Sequence, residues 1–170
     1  MPSRARHEKT PATPKQVAPK RAASKRVVAV TGAFGSLGRR VVALLEADDS
    51  IDRVVALDVR GAAPGLGADD DIKAFLQQHQ KLSAHALDLT EAGADRELGD
   101  ILVAERAGSI IHLAFLSTPT HALEMAHELE TIGTLYVLNA AAFAHVGSIV
   151  SLSSSMCYGA HPDNPAWIVE

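Results

Sequence analysis

Three observations predict an α/β protein built on a parallel sheet. From Arg26 onward, short β-branched runs alternate with amphipathic stretches, the pattern of strands joined by crossover helices. The first run, Val27 to Thr31 (VVAVT), is apolar almost throughout, as a strand buried on both faces of such a sheet requires. It passes straight into a turn carrying Gly32, Gly35 and Gly38, and a helical pattern follows. The length of 170 residues suits about one domain, and 47% hydrophobic with 21% charged residues excludes wholesale disorder, collagen and membrane arrays.

The elements follow in order. Leu37, Val41, Leu44 and Leu45 fall at i, i+4, i+7 and i+8, one face of a helix. Val54 to Leu57 (VVAL) forms a second strand ending at Asp58, and closes a βαβ unit whose crossover should be right-handed. Gly61 to Asp71 reads as a loop, with three glycines and Pro64. Its Asp69-Asp70-Asp71 run supplies an N-cap and first-turn charge for a helix over Ile72 to His79. Three consecutive side chains at a helix start do not converge on one point, so capping is favoured over a metal site.

Leu82 to Leu87 is the third strand and runs into Asp88-Leu89-Thr90. Leu98, Ile101 and Leu102 mark a helix ending near Gly108, a suitable C-cap, and Ser109 to Leu113 is the fourth strand. Met125, Leu129, Ile132, Tyr136, Ala140 and Phe143, at steps of three or four, predict a long helix. Gly147 opens the fifth strand, Ser148 to Leu152, before Ser153-Ser154-Ser155. Ile149, Val150 and Leu152 would lie on an exposed parallel edge, which predicts poor solubility or a need for a partner.

Charge is divided unevenly. Residues 1–26 hold eight Lys or Arg against Glu8, a net +7, whereas the remainder is acidic at −11. Residues 1–25 also carry Pro2, Pro11, Pro14 and Pro19 and almost no large apolar side chain, so they are expected to form a disordered basic tail ahead of a domain over 26–170. A basic arm can bind nucleic acid or anionic lipid, but a solvated leader is the favoured reading, so nucleic acid is not the expected partner. No stretch reads as a secretory signal or as a membrane span, so no membrane partner is expected. The single Cys157 cannot form an internal disulfide, which fits a reducing cytoplasm.

The strongest chemical signal is TGAFGSLGRR, Thr31 to Arg40. Gly32 allows a sharp turn, Gly35 lets backbone approach a pyrophosphate without an intervening Cβ, and Gly38 lets the helix pack closely on the strand. Ser36 and Leu37 open that helix, whose free N–H groups and positive dipole end suit a phosphate. Asp58 ends the second strand twenty residues beyond Gly38, where a dinucleotide fold places an acid on the adenosine ribose hydroxyls. A carboxylate there repels a 2′-phosphate, so NAD is favoured and NADP is the alternative. Arg39, Arg40 and Arg60 could neutralise such a phosphate, but read first as helix-surface and loop charges.

These motifs together resemble the extended short-chain dehydrogenases/reductases, the NAD-dependent epimerase/dehydratase group, over essentially all of Arg26 to Glu170. The resemblance implies a Rossmann-type doubly wound parallel sheet, here ending after its fifth strand. TGAFGSLG is similar to the family's TGxxGxxG loop. Asp58, with Val59 after it, matches the ribose-binding acid, and Asp88-Leu89 the pair that holds the adenine. His112-Leu113-Ala114, followed by Phe115, resembles the HxAA-type segment along the cofactor, and Ile132-Gly133-Thr134 stands where the family has NVxGT. Ser153 to Gly159 resembles SSxxxYG, which makes Ser154 the match for the catalytic hydroxyl.

Two departures stand out. Glu130 replaces the family Asn three residues before the helix glycine, and no Tyr-x-x-x-Lys occurs in the chain: Tyr136 is followed by Ala140 and Tyr158 by Pro162. By the family's spacing that pair would fall beyond Glu170, with the substrate domain after it. The resemblance therefore implies an NAD-dependent oxidoreductase, or its N-terminal fragment, acting on a sugar nucleotide or other small alcohol or carbonyl compound, and it admits a homodimer. A noncatalytic dinucleotide sensor or scaffold is the alternative. His112 reads as a packed residue beside the cofactor loop, because nothing sets a nucleophile for it. His121 and His127 fall on different helix faces, and neither His145 nor His161 has a ligand partner at diagnostic spacing, so no metal site is expected.

Overall fold

The computed structural model describes residues 26–60, 70–116, 122–154, 158–159 and 162–164. The tail, most of the 61–71 loop, His121, Ser155 to Cys157 and His161 lie outside the described residues. Five strands form one parallel sheet: β1 (Val27–Thr31), β2 (Arg53–Asp58), β3 (Leu82–Ala86), β4 (Ser109–His112) and β5 (Ser148–Ser151). Their order is β3-β2-β1-β4-β5, so the chain builds outward from β1 on one side and then on the other. That is the doubly wound arrangement.

Strand periodicity explains the two-sided core. Ala29, Val55 and Leu57 face one layer, with Leu98 and Leu102 of α3 (Ala94–Glu105) and Val137, Ala140 and Ala141 of α5 (Gly133–Phe143). Their neighbours Val28, Val30, Val54 and Ala56 face the other layer, with Phe34, Ile51, Val42 of α1 (Ser36–Ala47) and Ile72 of α2 (Asp70–Gln78). Alternate residues of β1 and β2 thus point to opposite helical layers, the reason both strands are apolar through their middles. Fully burying a side chain the size of Leu98 stabilises by about 1.5–3 kcal/mol, and truncating it to Ala costs about 2–5 kcal/mol once the cavity is included.

Several expectations need correction. In α1 the buried line is Gly38 and Val42, whereas Leu44 is 72% exposed and Leu37 44%. The glycine packs on the turn before it and so sets the helix's rotation, which swings the predicted stripe partly outward. Helix α2 begins at Asp70, two residues before the expected Ile72, and Asp70 and Asp71 supply the first-turn charge expected of them. The carboxylate of Asp71 accepts an ion pair from Arg39 at 2.7 Å.

The long helix is a single run with a change of pitch: α4 (Leu123–His127), a π-helical turn over Glu128–Ile132, then α5. Across that turn Gly133 N–H reaches the Glu128 carbonyl, five residues back. The wider turn alters the phase, so the buried line becomes Gly133, Val137, Ala140 and Ala141, and Phe143 is 64% exposed.

Gly108 is not the left-handed residue that ends α3. Arg106 takes that conformation (φ 57°, ψ 42°), and Ala107 N–H closes back on the Leu102 carbonyl at 2.9 Å. Helix α5 ends in the same way, with His145 at φ 54° and Val146 N–H on Ala141 at 2.9 Å. Arg106-Ala107-Gly108-Ser109 and His145-Val146-Gly147-Ser148 are thus two versions of one helix-to-strand connection, and the paired Ser109 and Ser148 share a hydroxyl hydrogen bond of 2.8 Å. Among the described residues, strand β5 pairs only with β4 and is exposed along its length, with Val150 62% accessible, as the edge reading expected.

Candidate functional site: the cleft between β1 and β4

Strands β1 and β4 are neighbours in the sheet but leave it toward opposite sides, so the loops at their carboxyl ends diverge and open a crevice. A cleft of about 370 Å³ lies there. Its walls bring together every cofactor residue expected from the sequence: Gly32, Gly35, Ser36, Leu37 and Gly38; Asp58 and Val59; Asp88 and Leu89; Leu113, Ala114 and Phe115. Ser154 does not line it. This serine is exposed, two residues past Leu152, which does.

The glycine loop has the three geometries its spacing demands. Gly32 sits at φ +66°, and a Cβ there would lie 2.6 Å from the Leu113 carbonyl oxygen. A Cβ on Gly38 would overlap the Gly32 carbonyl and come within 2.7 Å of the Ala33 backbone. Gly35, by contrast, has only the Gly32 oxygen within 4 Å of such a Cβ, so its other side opens into the cleft. Gly35 is the N-cap of α1, and no side chain caps that helix. Its first N–H groups and positive dipole end are therefore available to an anion. These residues fit a pyrophosphate.

Asp58 is held from several sides. Its carboxylate is 5% exposed, accepts Phe34 N–H at 2.9 Å, and accepts Arg60 N–H at 3.1 Å and Arg60 Nε at 3.2 Å. The same acid thus ties the glycine loop to the end of β2. Arg60 also lines the cleft, whereas Arg39 is engaged elsewhere: it pairs with Asp71, donates to the Phe34 carbonyl at 3.1 Å, and lies 5.4 Å from the Phe75 ring centroid. Asp88 closes a small turn by accepting Thr90 N–H at 2.9 Å and its hydroxyl at 2.7 Å.

His112 is 1% exposed at the end of β4. Its Nδ1 is 2.7 Å from the Thr31 hydroxyl and its Nε2 is 3.1 Å from the Thr134 hydroxyl. Thr134 donates its own proton to the Glu130 carbonyl at 2.7 Å, so its oxygen accepts from Nε2–H. Nδ1 then accepts from Thr31, whose oxygen accepts Leu113 N–H at 3.2 Å. Burial lowers the His112 pKa to about 4, and the neutral ring suits this one-directional chain. The histidine is a packed residue, bonded to Thr31 of the cleft wall.

Leu116, Met125, Leu129 and Leu152 also line the cleft, though nothing in the sequence motifs gave them a place there. Met125 and Leu129 were legible only as helix-core positions. A usable signal for Leu152 was its place at the carboxyl end of a parallel strand, since such ends border the crevice of a doubly wound sheet. No described helix is long and apolar enough to cross a membrane.

Known proteins agree with this architecture. A uronate dehydrogenase from Agrobacterium tumefaciens, solved with NAD, is 21% identical with a TM-score of 0.57, covering 77% of this chain and 42% of its own. The Bordetella bronchiseptica enzyme WbmG, solved with NAD and UDP, is 17% identical with a TM-score of 0.64, over 80% of this chain and 40% of its own. WbmH from the same organism, solved with NAD+, is 20% identical with a TM-score of 0.64, over 83% and 43%. The chain thus spans about two fifths of the length of these structures. A segment covering 64% of the chain is 33% identical to 3% of the polyketide synthase-nonribosomal peptide synthetase ACE1 of Pyricularia oryzae. Residues 28–168 match the NAD dependent epimerase/dehydratase family, and the chain belongs to that family.

Proposed function

We propose that the cleft binds a nicotinamide dinucleotide, with NAD preferred over NADP, and that the chain serves an epimerase/dehydratase-type oxidoreductase acting on a sugar nucleotide or other small alcohol or carbonyl substrate. One observation carries the reading: the uncapped start of α1 and the buried Asp58 carboxylate meet in one cleft, joined by the 2.9 Å bond from Phe34 N–H. In this reading Gly32 to Gly38 hold the pyrophosphate, Asp58 takes the ribose hydroxyls, Asp88 and Leu89 border the adenine, and Leu113 to Phe115 flank the remainder. Bound there, the dinucleotide supplies hydride transfer. Ser154 is the proposed substrate hydroxyl ligand, beyond Leu152 at the cleft's edge. An unactivated hydroxyl is a poor acid and base, so Ser154 would position a reacting oxygen while another group moves the proton.

Cofactor choice rests on charge at Asp58. Arg60 is already paired with it, which leaves less positive charge for a 2′-phosphate. Titration calorimetry with NAD and NADP tests this in the wild type and in Asp58→Asn. Asn keeps an acceptor oxygen for Phe34 N–H, whereas Ala would strand that buried donor at a cost of about 1–3 kcal/mol. The wild type should bind NAD at least about tenfold more tightly, a difference of about 1.4 kcal/mol, and Asp58→Asn should narrow the gap. Equal affinity for both cofactors in the wild type would remove the role assigned to Asp58.

A further inference from the structure

The segment after β4 forms one wall of the cleft, and its two ends are tied down differently. Leu113 N–H reaches the Thr31 carbonyl at 3.1 Å and the Thr31 hydroxyl at 3.2 Å. Leu116, also on the wall, donates its N–H to Glu130 Oε1 at 3.3 Å. Glu130 lies in the π-helical turn, and its carbonyl receives the Thr134 hydroxyl at 2.7 Å. Thr134 in turn receives His112 Nε2–H, and His112 receives the Thr31 hydroxyl. One residue therefore reaches both ends of the wall, by its side chain at Leu116 and by its main chain through Thr134, His112 and Thr31.

We infer that Glu130 is a positioning residue for the cleft, holding the Leu113 to Leu116 wall in one geometry, and that it acts as a hydrogen-bond acceptor and not through its charge. Among the described residues no Lys, Arg or His nitrogen lies within ion-pair distance of its carboxylate, while the Leu116 N–H does meet one of its oxygens. The main-chain half of the link depends on backbone alone and survives any side chain at 130. The side-chain half needs an oxygen at this reach. The inference rests on the cleft binding a dinucleotide, as proposed above.

Glu130→Ala and Glu130→Gln separate the possibilities, since both change an exposed side chain and only Gln retains an acceptor. Amide hydrogen exchange is read at Leu116 and at Val28 to Val30, and NAD affinity is measured on the same samples. Glu130→Ala should speed exchange at Leu116 about tenfold and weaken NAD binding about three- to tenfold, with exchange in β1 unchanged. Glu130→Gln should stay within about twofold of the wild type on both measures. Unchanged Leu116 exchange in Glu130→Ala would overturn the inference, as would a Gln variant as impaired as the Ala variant. A uniform rise through β1 would also overturn it, since that is general destabilisation. A wild type that does not bind NAD would instead overturn the cofactor reading, a result distinct from a wild type and Glu130→Ala that bind equally well.

Discussion

Gly32, Gly35 and Gly38 were legible in the sequence because each is tied to a backbone requirement that no other residue meets: a positive φ, an open approach, and a close helix contact. Asp58 and Asp88 were legible for a related reason, since each stands at or just beyond the end of a strand that its apolar run defines. The bonds that Arg60 and Glu130 make were not. Arg60 adds two side-chain bonds to Asp58 that spacing alone does not announce, and the reach of Glu130 to Leu116 spans fourteen residues and depends on the π turn. His112 was read correctly as packed, but its two threonine partners come from β1 and α5 and appear only in the fold. Its titration checks the site directly. The ring's NMR midpoint should fall near 4 instead of the ordinary 6.5. Because the unfolded chain binds that proton more readily, His112 makes folding less favourable as pH falls from 6.5 toward about 4. A midpoint near 6.5 would mean a solvated, switchable histidine and a different packing behind Thr31.

At the scale of elements, all five strands were legible: β1, β2, β4 and β5 carry β-branched residues, and β3 (LSAHA), which carries none, stands between two helical patterns. Helix rotation was less so. The stripe from Met125 to Phe143 assumes one constant pitch, and the π turn at Glu128–Ile132 breaks that assumption. Gly133 then faces Leu89, whose Cβ a methyl at 133 would approach to 3.1 Å, so the shifted phase also brings α5 against the cleft. The end of α3 was misread because the following Gly108 seemed the natural left-handed residue. Instead Arg106 and His145 adopt that conformation, both exposed, each followed by an apolar residue packed against the core layer. A left-handed non-glycine residue costs about 1–2 kcal/mol, offset in a substitution by glycine's greater unfolded-state entropy. Arg106→Gly should therefore raise stability by about 0.5–1 kcal/mol, read as a higher urea midpoint at unchanged m. A lower midpoint would show that the Arg106 side chain contributes more than its backbone costs.

Over the whole molecule, the 3-2-1-4-5 strand order places the crevice at β1 and β4 without reference to any side chain. The sequence then furnishes that one location with the glycine turn, the buried acid Asp58 and the loops after β3 and β4. Order and furnishing agree, which is why the cofactor residues expected from motifs alone converge on one cleft. Substrate selection is not legible in the same way, because Ser154, the candidate substrate hydroxyl, is exposed and does not line the cleft. Amide NMR of the chain titrated with NAD measures the central claim most directly. Dinucleotide binding in this cleft predicts saturable shifts concentrated at Gly32 to Gly38, Asp58 to Arg60, Asp88 to Thr90 and Leu113 to Phe115. Shifts confined elsewhere, or none at millimolar NAD, would contradict it.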